Sequence, residues 1–154
     1  MAPRPNWLNA DEQATWRSYL LTTQLVDESL DRQLQRDAGI PHAYYGILVS
    51  LSESDDARMR MSDLASRLRY SQSRMTHAVN SLEAKGWVRR ERSDVDRRGQ
   101  WAVLTPTGRA ALSAAAPGHV AEVRRVVIDR LSTEQVTQLR DICDTILDGF
   151  DQTG

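Results

Sequence analysis

Cysteine occurs once in the chain, as Cys143, so no internal disulfide can form. Its position on the apolar stripe of a C-terminal helix leads us to expect inert packing rather than redox sensing. Histidine is almost as scarce, and His42, His77 and His119 are too scattered for the ligand spacing of a structural metal. No apolar run approaches the roughly 20 residues a membrane span needs, and no charged, apolar and small-residue leader opens the sequence. We therefore expect no membrane partner and a cytoplasmic location. A glycine-rich phosphate loop, a nucleophile motif and any clustering of histidines with carboxylates are missing too, so neither catalytic residues nor a resident cofactor are expected.

What the chain does have is an uneven charge. Its 154 residues, about one domain by length, carry a net charge of −1. From Arg58 to Arg98, however, eleven Lys/Arg face five Asp/Glu, a net of +6, which leaves −7 on the remainder. A basic centre between acidic ends points to one segment that meets a polyanion and others that do not.

Local signals divide the chain into helices. Asn9 and Glu12 have the form of a capping box, after which Trp16, Tyr19, Leu20, Thr23, Val26, Leu30 and Leu34 recur at helical spacing over residues 9–38. Pro41 suits the first position of a second helix carrying Tyr44, Ile47, Leu48 and Leu51. Ser62 is expected to cap a third helix with Leu64, Ala65 and Leu68. Ser71 is expected to cap a fourth with Met75, Ala78, Val79 and Leu82, which Gly86 ends. Then "WVRRE" and "QWAVL" read as two short strands joined by "DVDRRGQW". Thr105 and Pro106 open another helix, which the pair Pro117-Gly118 should kink or interrupt. Ser132 and Gln135 open the last one, carrying Val136, Leu139, Cys143, Ile146 and Phe150.

Two helices separated by a short turn and followed by a charged hairpin describe a winged helix-turn-helix. The fold class is therefore mainly α with a small two-stranded β-wing. With Met75, Ala78, Val79 and Leu82 inward, Ser73, Arg74, Thr76, His77 and Asn80 turn outward on the second helix of the pair, where such helices meet base edges in the major groove. Arginine can grip guanine, asparagine can pair with adenine, and hydroxyls serve either bases or phosphates. Arg89, Arg90 and Arg92 lead into the hairpin, and Arg97 and Arg98 sit at its tip, where arginine can enter a narrow minor groove. Asp96 is expected to pair with an arginine and hold the tip, and Gly99 to supply its tight turn. Asp94 has no role beyond solvation.

The succession "MSDLASRL", "SRMTHAVNSLEAKGWVRRE", "DVDRRGQWAVLTPTG" resembles the multiple antibiotic resistance regulator (MarR) family of bacterial transcription factors. Its most specific part is Asp96-Arg97-Arg98 followed by Leu104-Thr105-Pro106-Thr107-Gly108. The resemblance implies a minor-groove role for Arg98, although a proline common between the wing's two acidic residues is Val95 here. It implies a single domain over residues 1–154, with a dimerisation helix at 9–38, a DNA-binding lobe at 41–105 and further dimerisation helices at 106–150. It also implies a homodimer on a pseudo-palindromic site in double-stranded DNA, most often as a repressor. The apolar residues Trp16, Tyr19, Leu20, Ile142, Ile146, Leu147 and Phe150 support the dimer independently, since one small lobe cannot bury them all.

Family members commonly release DNA when a small aromatic or phenolic effector binds, which the resemblance implies for Trp16, Arg17, His42, Tyr44 and Tyr45 as a candidate pocket; ordinary packing is the alternative for all five. A winged helix can also serve as a protein-interaction module without specific DNA binding. That version should present apolar residues outward in place of Arg74, His77 and Asn80.

Overall fold

A computed structural model of the protein describes residues 5–92 and 99–151. In chain order these residues form α1 (Ala10–Ala38), α2 (His42–Ser52), β1 (Arg58–Arg60), α3 (Met61–Arg67), α4 (Gln72–Ala84), β2 (Val88–Arg92), β3 (Gln100–Leu104), α5 (Pro106–Val126) and α6 (Thr133–Asp151), with single 3-10 turns at Asp55–Ala57 and Ile128–Arg130. They divide into two compact units. One spans Leu30–His119; the other comprises the described residues up to Ser29 and from Val120 onward.

Most helix starts follow from their caps. At α1 the Glu12 N–H donates to Asn9 Oδ1 at 2.9 Å while Asn9 N–H donates to Glu12 Oε2 at 2.7 Å. At α6 the Ser132 and Gln135 pair does the same. Each such box satisfies two backbone donors that a helix end leaves without partners. Ser71 Oγ accepts from Arg74 N–H at the start of α4, and Gly86 follows its last turn with a left-handed φ of 70°.

Three expectations are corrected. Ser62 is not a cap: α3 begins at Met61, the extended residue Arg60 holds the cap position, and the Ser62 hydroxyl donates to Asp63 instead. The reason is β1, a third strand that runs directly into the helix. Pro41 precedes α2 as its cap residue rather than opening it, and its carbonyl accepts from the N–H groups of Tyr44 and Tyr45. Helix α5 continues through Pro117 without interruption. An interior proline costs a helix about 3 kcal/mol. Here buried Ala115 and the close fit of Gly118, whose absent Cβ would lie 3.0 Å from Asp37 Oδ2, tie this stretch of helix to its surroundings.

The unit Leu30–His119 contains the hydrophobic core. Leu34 from α1, Ile47, Leu48 and Leu51 from α2, Leu64 from α3, Met75, Val79 and Leu82 from α4 and Val88 from β2 are almost wholly buried in one cluster. The three strands form an antiparallel sheet with β3 in the centre, in the order β1-β3-β2. Its register pairs Arg60 and Glu91 with Trp101, and Met59 and Arg90 with Ala102. Strand alternation therefore sets Met59, Arg90 and buried Ala102 on one face, and Arg58, Arg60, Arg89, Glu91 and Trp101 on the other.

The segment Gly86–Gly108 is closed by one threonine. Thr105 N–H donates to the Trp87 carbonyl, Thr105 Oγ1 donates to the Gly86 carbonyl at 2.6 Å, and the same oxygen accepts from Gly108 N–H at 3.0 Å. A Cβ at residue 108 would lie 2.0 Å from the Trp87 carbonyl oxygen, so only glycine fits there. The Leu-Thr-x-x-Gly stretch thus caps α5 and fastens it to the root of the hairpin.

In the second unit the Ser29 hydroxyl and the Arg125 guanidinium both donate to Glu122. Apolar side chains of α1 and α6 lie open: Trp16 stacks on Tyr19 at 5.8 Å, and Leu20, Leu21, Leu25, Ile142, Ile146, Leu147 and Phe150 are all exposed. Cys143 is exposed in the single chain.

Candidate nucleic-acid interface

Helix α4 buries Met75, Ala78, Val79 and Leu82 and leaves Ser73, Arg74, Thr76, His77 and Asn80 exposed. The turn before it, residues 68–71, carries Arg69 at a left-handed φ of 53° and a Tyr70 N–H bonded back to the Ala65 carbonyl. This tight reversal releases α4 from α3 with its N-terminal half free. The Tyr70 ring then supports Arg74, whose guanidinium carbon lies 4.0 Å from the ring centroid. A cation stacked on an aromatic face loses less conformational entropy when it engages a ligand.

Beside α4, an open groove of about 330 Å³ is lined by Arg60, Met61, Ser62, Gln72, Thr76, Gly99 and Gln100. It lies between the start of α4 and the tip-side end of β3, and its rim is mostly polar. Arg60 and Arg58 flank Trp101, at 5.3 and 4.9 Å from the ring centroid. Arg60, Gln72 and Gln100 were not among the residues singled out in the sequence. Arg60 belongs to a strand of only three residues, too short for a periodicity signal, and Gln72 and Gln100 matter only because the groove joins them.

The arginines of β2 differ from one another. Arg89, exposed, pairs with Glu91 at 2.6 Å. Arg92 is exposed at the end of the strand. Arg90 is partly buried and turned toward α4: its backbone N–H and guanidinium donate to Glu83, and its Nη2 donates to Asn80 Oδ1 at 2.6 Å. Hydrogen bonding from Arg90 holds the Glu83 carboxyl below its ordinary range, against a smaller opposing effect of desolvation. Period-two counting from buried Val88 would have placed Arg90 on this inner face. Asp94, Asp96, Arg97 and Arg98 lie outside the described residues, and with them the hairpin tip; Gly99 directly precedes β3 and lines the groove.

Of the candidate effector residues, Trp16 and Arg17 belong to one unit and His42, Tyr44 and Tyr45 to the other. In the latter, His119 lies 4.4 Å from the Tyr45 ring and 5.5 Å from that of His42. Burial first, and the nearby His42 second, lower the His119 pKa. Among the described residues, His119 Nδ1 and Gln33 Oε1 are buried side-chain atoms without a hydrogen-bond partner. No group of three or more His, Cys, Asp and Glu residues among those described could hold a metal, and no described helix is long and apolar enough to cross a membrane.

A helix pair crossing at a tight turn, a polar second helix and an adjoining three-stranded sheet with a hairpin define a winged helix-turn-helix protein. Comparison with known proteins narrows the class. Residues 38–99 match the model of the MarR family. The Streptomyces coelicolor MarR family regulator Sco3205, solved in complex with DNA, is 51% identical, with 94% of this chain and 91% of that one covered and a TM-score of 0.91. AbsC, a MarR family regulator of the same organism, is 41% identical over 96% of this chain and 99% of its own, with a TM-score of 0.90. The chain belongs to the MarR family. Transcriptional repressor MprA of Escherichia coli K12 is 29% identical over 114 residues, which span 74% of this chain and 64% of that protein's length.

Proposed function

We propose that this protein is a sequence-specific DNA-binding transcriptional repressor, without enzymatic activity, that acts in the cytoplasm as a homodimer on a pseudo-palindromic operator. One observation carries the reading: the exposed face of α4 is polar and cationic through Ser73, Arg74, Thr76, His77 and Asn80, and it borders a mostly polar groove shared with the tip-side end of β3. A protein-docking winged helix would present large apolar side chains there, and α4 presents none. In this reading α4 enters the major groove, Arg60, Arg89 and Arg92 approach flanking phosphates, and Arg97 and Arg98 reach the minor groove. The relative solved on DNA supports the same use of the fold. The open apolar side chains of α1 and α6 support a second copy as their cover, which would set two reading helices one turn of DNA, about 34 Å, apart.

Pull-down of genomic fragments by the purified protein tests this directly. Enrichment of a sequence with two inverted half-sites is the expected result; capture of DNA without any common sequence would remove the specific-repressor reading. An effector is part of the proposal. The tilted ring contacts of His119 with His42 and Tyr45, and the unpartnered His119 Nδ1 and Gln33 Oε1 atoms in the same unit, support a small aromatic or phenolic effector there, to which the sequence adds Tyr44. Trp16 and Arg17 enter this proposal from the sequence alone. Titration of the protein–operator complex with a hydroxybenzoate should release DNA, and release unchanged by Tyr45→Ala would place the effector elsewhere.

A further inference from the structure

Asn80 and Arg90 were both read from the sequence as DNA contacts, yet the structure joins them to each other. Arg90 Nη2 donates to Asn80 Oδ1 at 2.6 Å, and the Arg90 guanidinium is itself held through Nε and Nη2 by Glu83 at 3.1 and 2.6 Å. Strand register explains why: Arg90 pairs with Ala102 on the inner face of the sheet, so its side chain turns toward α4 instead of outward with Arg89 and Glu91. Glu83 lies three residues after Asn80 on α4, close to one turn along the same face, and it anchors the arginine beside the asparagine.

This fixes the chemistry of the asparagine amide. Asn80 is exposed, but its oxygen is turned to a charged donor drawn from β2, which takes one of its two lone pairs. The amide is thereby oriented with its nitrogen, which carries two N–H groups, on the side away from β2. Bidentate recognition of adenine uses both ends of the amide, and a donor that meets adenine N7 alone faces the N6 amino group donor to donor, whereas guanine offers acceptors at both O6 and N7 and thymine offers O4. Building on the reading of α4 as the major-groove helix, we infer that Arg90 is a positioning residue that turns the Asn80 amide nitrogen outward as a hydrogen-bond donor, so that the base under Asn80 is a guanine or thymine in preference to adenine.

The test compares wild type with Asn80→Ala, Arg90→Lys and the double variant, by selection of bound duplexes from a random pool followed by affinity measurements over a range of salt. Lysine keeps the positive charge, and so any phosphate contact, but lacks the fork that holds Glu83 and Asn80 together. Asn80→Ala should make one operator position degenerate, and the wild-type base there should be guanine or thymine. Arg90→Lys should relax the same position by about tenfold, the scale of one base contact, with the salt slope kept and little further change in the double variant. Adenine at that position, or Arg90→Lys that leaves its discrimination intact, overturns the inference while α4 remains a reading helix. A uniform loss in Arg90→Ala with the slope lower by roughly 0.9 would make Arg90 a phosphate contact instead. Should wild type select no sequence at all, the inference falls together with the reading it stands on. Thermal melting checks that Arg90→Lys is folded; if it is not, Glu83→Gln, which frees Arg90 without altering it, must relax the same position, and failure to do so counts against the lock.

Discussion

The two units of this chain solve the problem of apolar surface in opposite ways. From Leu30 to His119 the large side chains close on themselves, and Leu34, Ile47, Leu51, Leu64, Met75, Leu82 and others are almost inaccessible. In the unit formed by the chain before Leu30 and after His119, Trp16, Leu21, Leu25, Ile142, Leu147 and Phe150 are each about half exposed or more. The first is a lobe that can fold around its own core; the second presents apolar helix faces that only another surface can cover. Burial therefore distinguishes a part that closes on its own core from a part that leaves apolar side chains open. The polar face of α4 belongs to the first unit, where Arg90 holds Asn80 and the Tyr70 ring supports Arg74.

The sharpest way to break the first unit is Gly108→Ala. A methyl 2.0 Å from the Trp87 carbonyl oxygen cannot be accommodated without moving backbone, and a loss on the order of 4 kcal/mol is expected, read as the urea midpoint at fixed protein concentration. A midpoint near wild type would show that α5 is not clamped to the hairpin root. Next comes Leu82→Ala, which leaves a cavity in the core of α4 and should cost about 3 kcal/mol.

The other unit answers to a different measurement. Ile142→Asp with Ile146→Asp places charge on side chains that are exposed in the single chain, so a solvated face would tolerate it within about 0.5 kcal/mol. On a face covered by a second copy, the same change should raise the dimer dissociation constant about 30-fold or more in sedimentation. Unchanged sedimentation would mean that α6 does not form the cover.

The smallest expected effect concerns pH. Because burial and His42 lower the His119 pKa, the unfolded chain takes up a proton that the folded chain refuses once pH falls below about 6.5. Stability contributed by neutral His119 is thus complete above that value and declines as pH drops toward the lowered folded pKa. His119→Asn should shrink the difference in urea midpoint between pH 7.5 and pH 5.5; an equal difference in both proteins would remove His119 from the acid response.

Much of this was legible because it is local. A serine or asparagine cap acts on an N–H two or three residues away, and an apolar stripe needs only the period of the helix, so the capping boxes at Asn9 and Ser132, the cap at Ser71 and the buried side of α4 all follow from the order of residues. Strand β1 was illegible for the opposite reason. Three residues carry no period, and Arg58–Arg60 becomes a strand only because β3 offers it an edge. The unbroken α5 shows tertiary packing outweighing a local helix breaker at Pro117.

The division extends to the reading surface itself. Sequence alone determined which side of α4 faces outward and that basic residues gather around it, because amphipathic spacing and composition are properties of the chain. Period two separates Arg89 from Arg90 and Arg92 along the strand, but it could not say which partners the inner side would meet. Only the sheet register, set by hydrogen bonds between strands, turned Arg90 inward to Glu83 and Asn80. A contact across ten residues depends on where two elements pack, and packing is decided by the whole core rather than by the residues that meet.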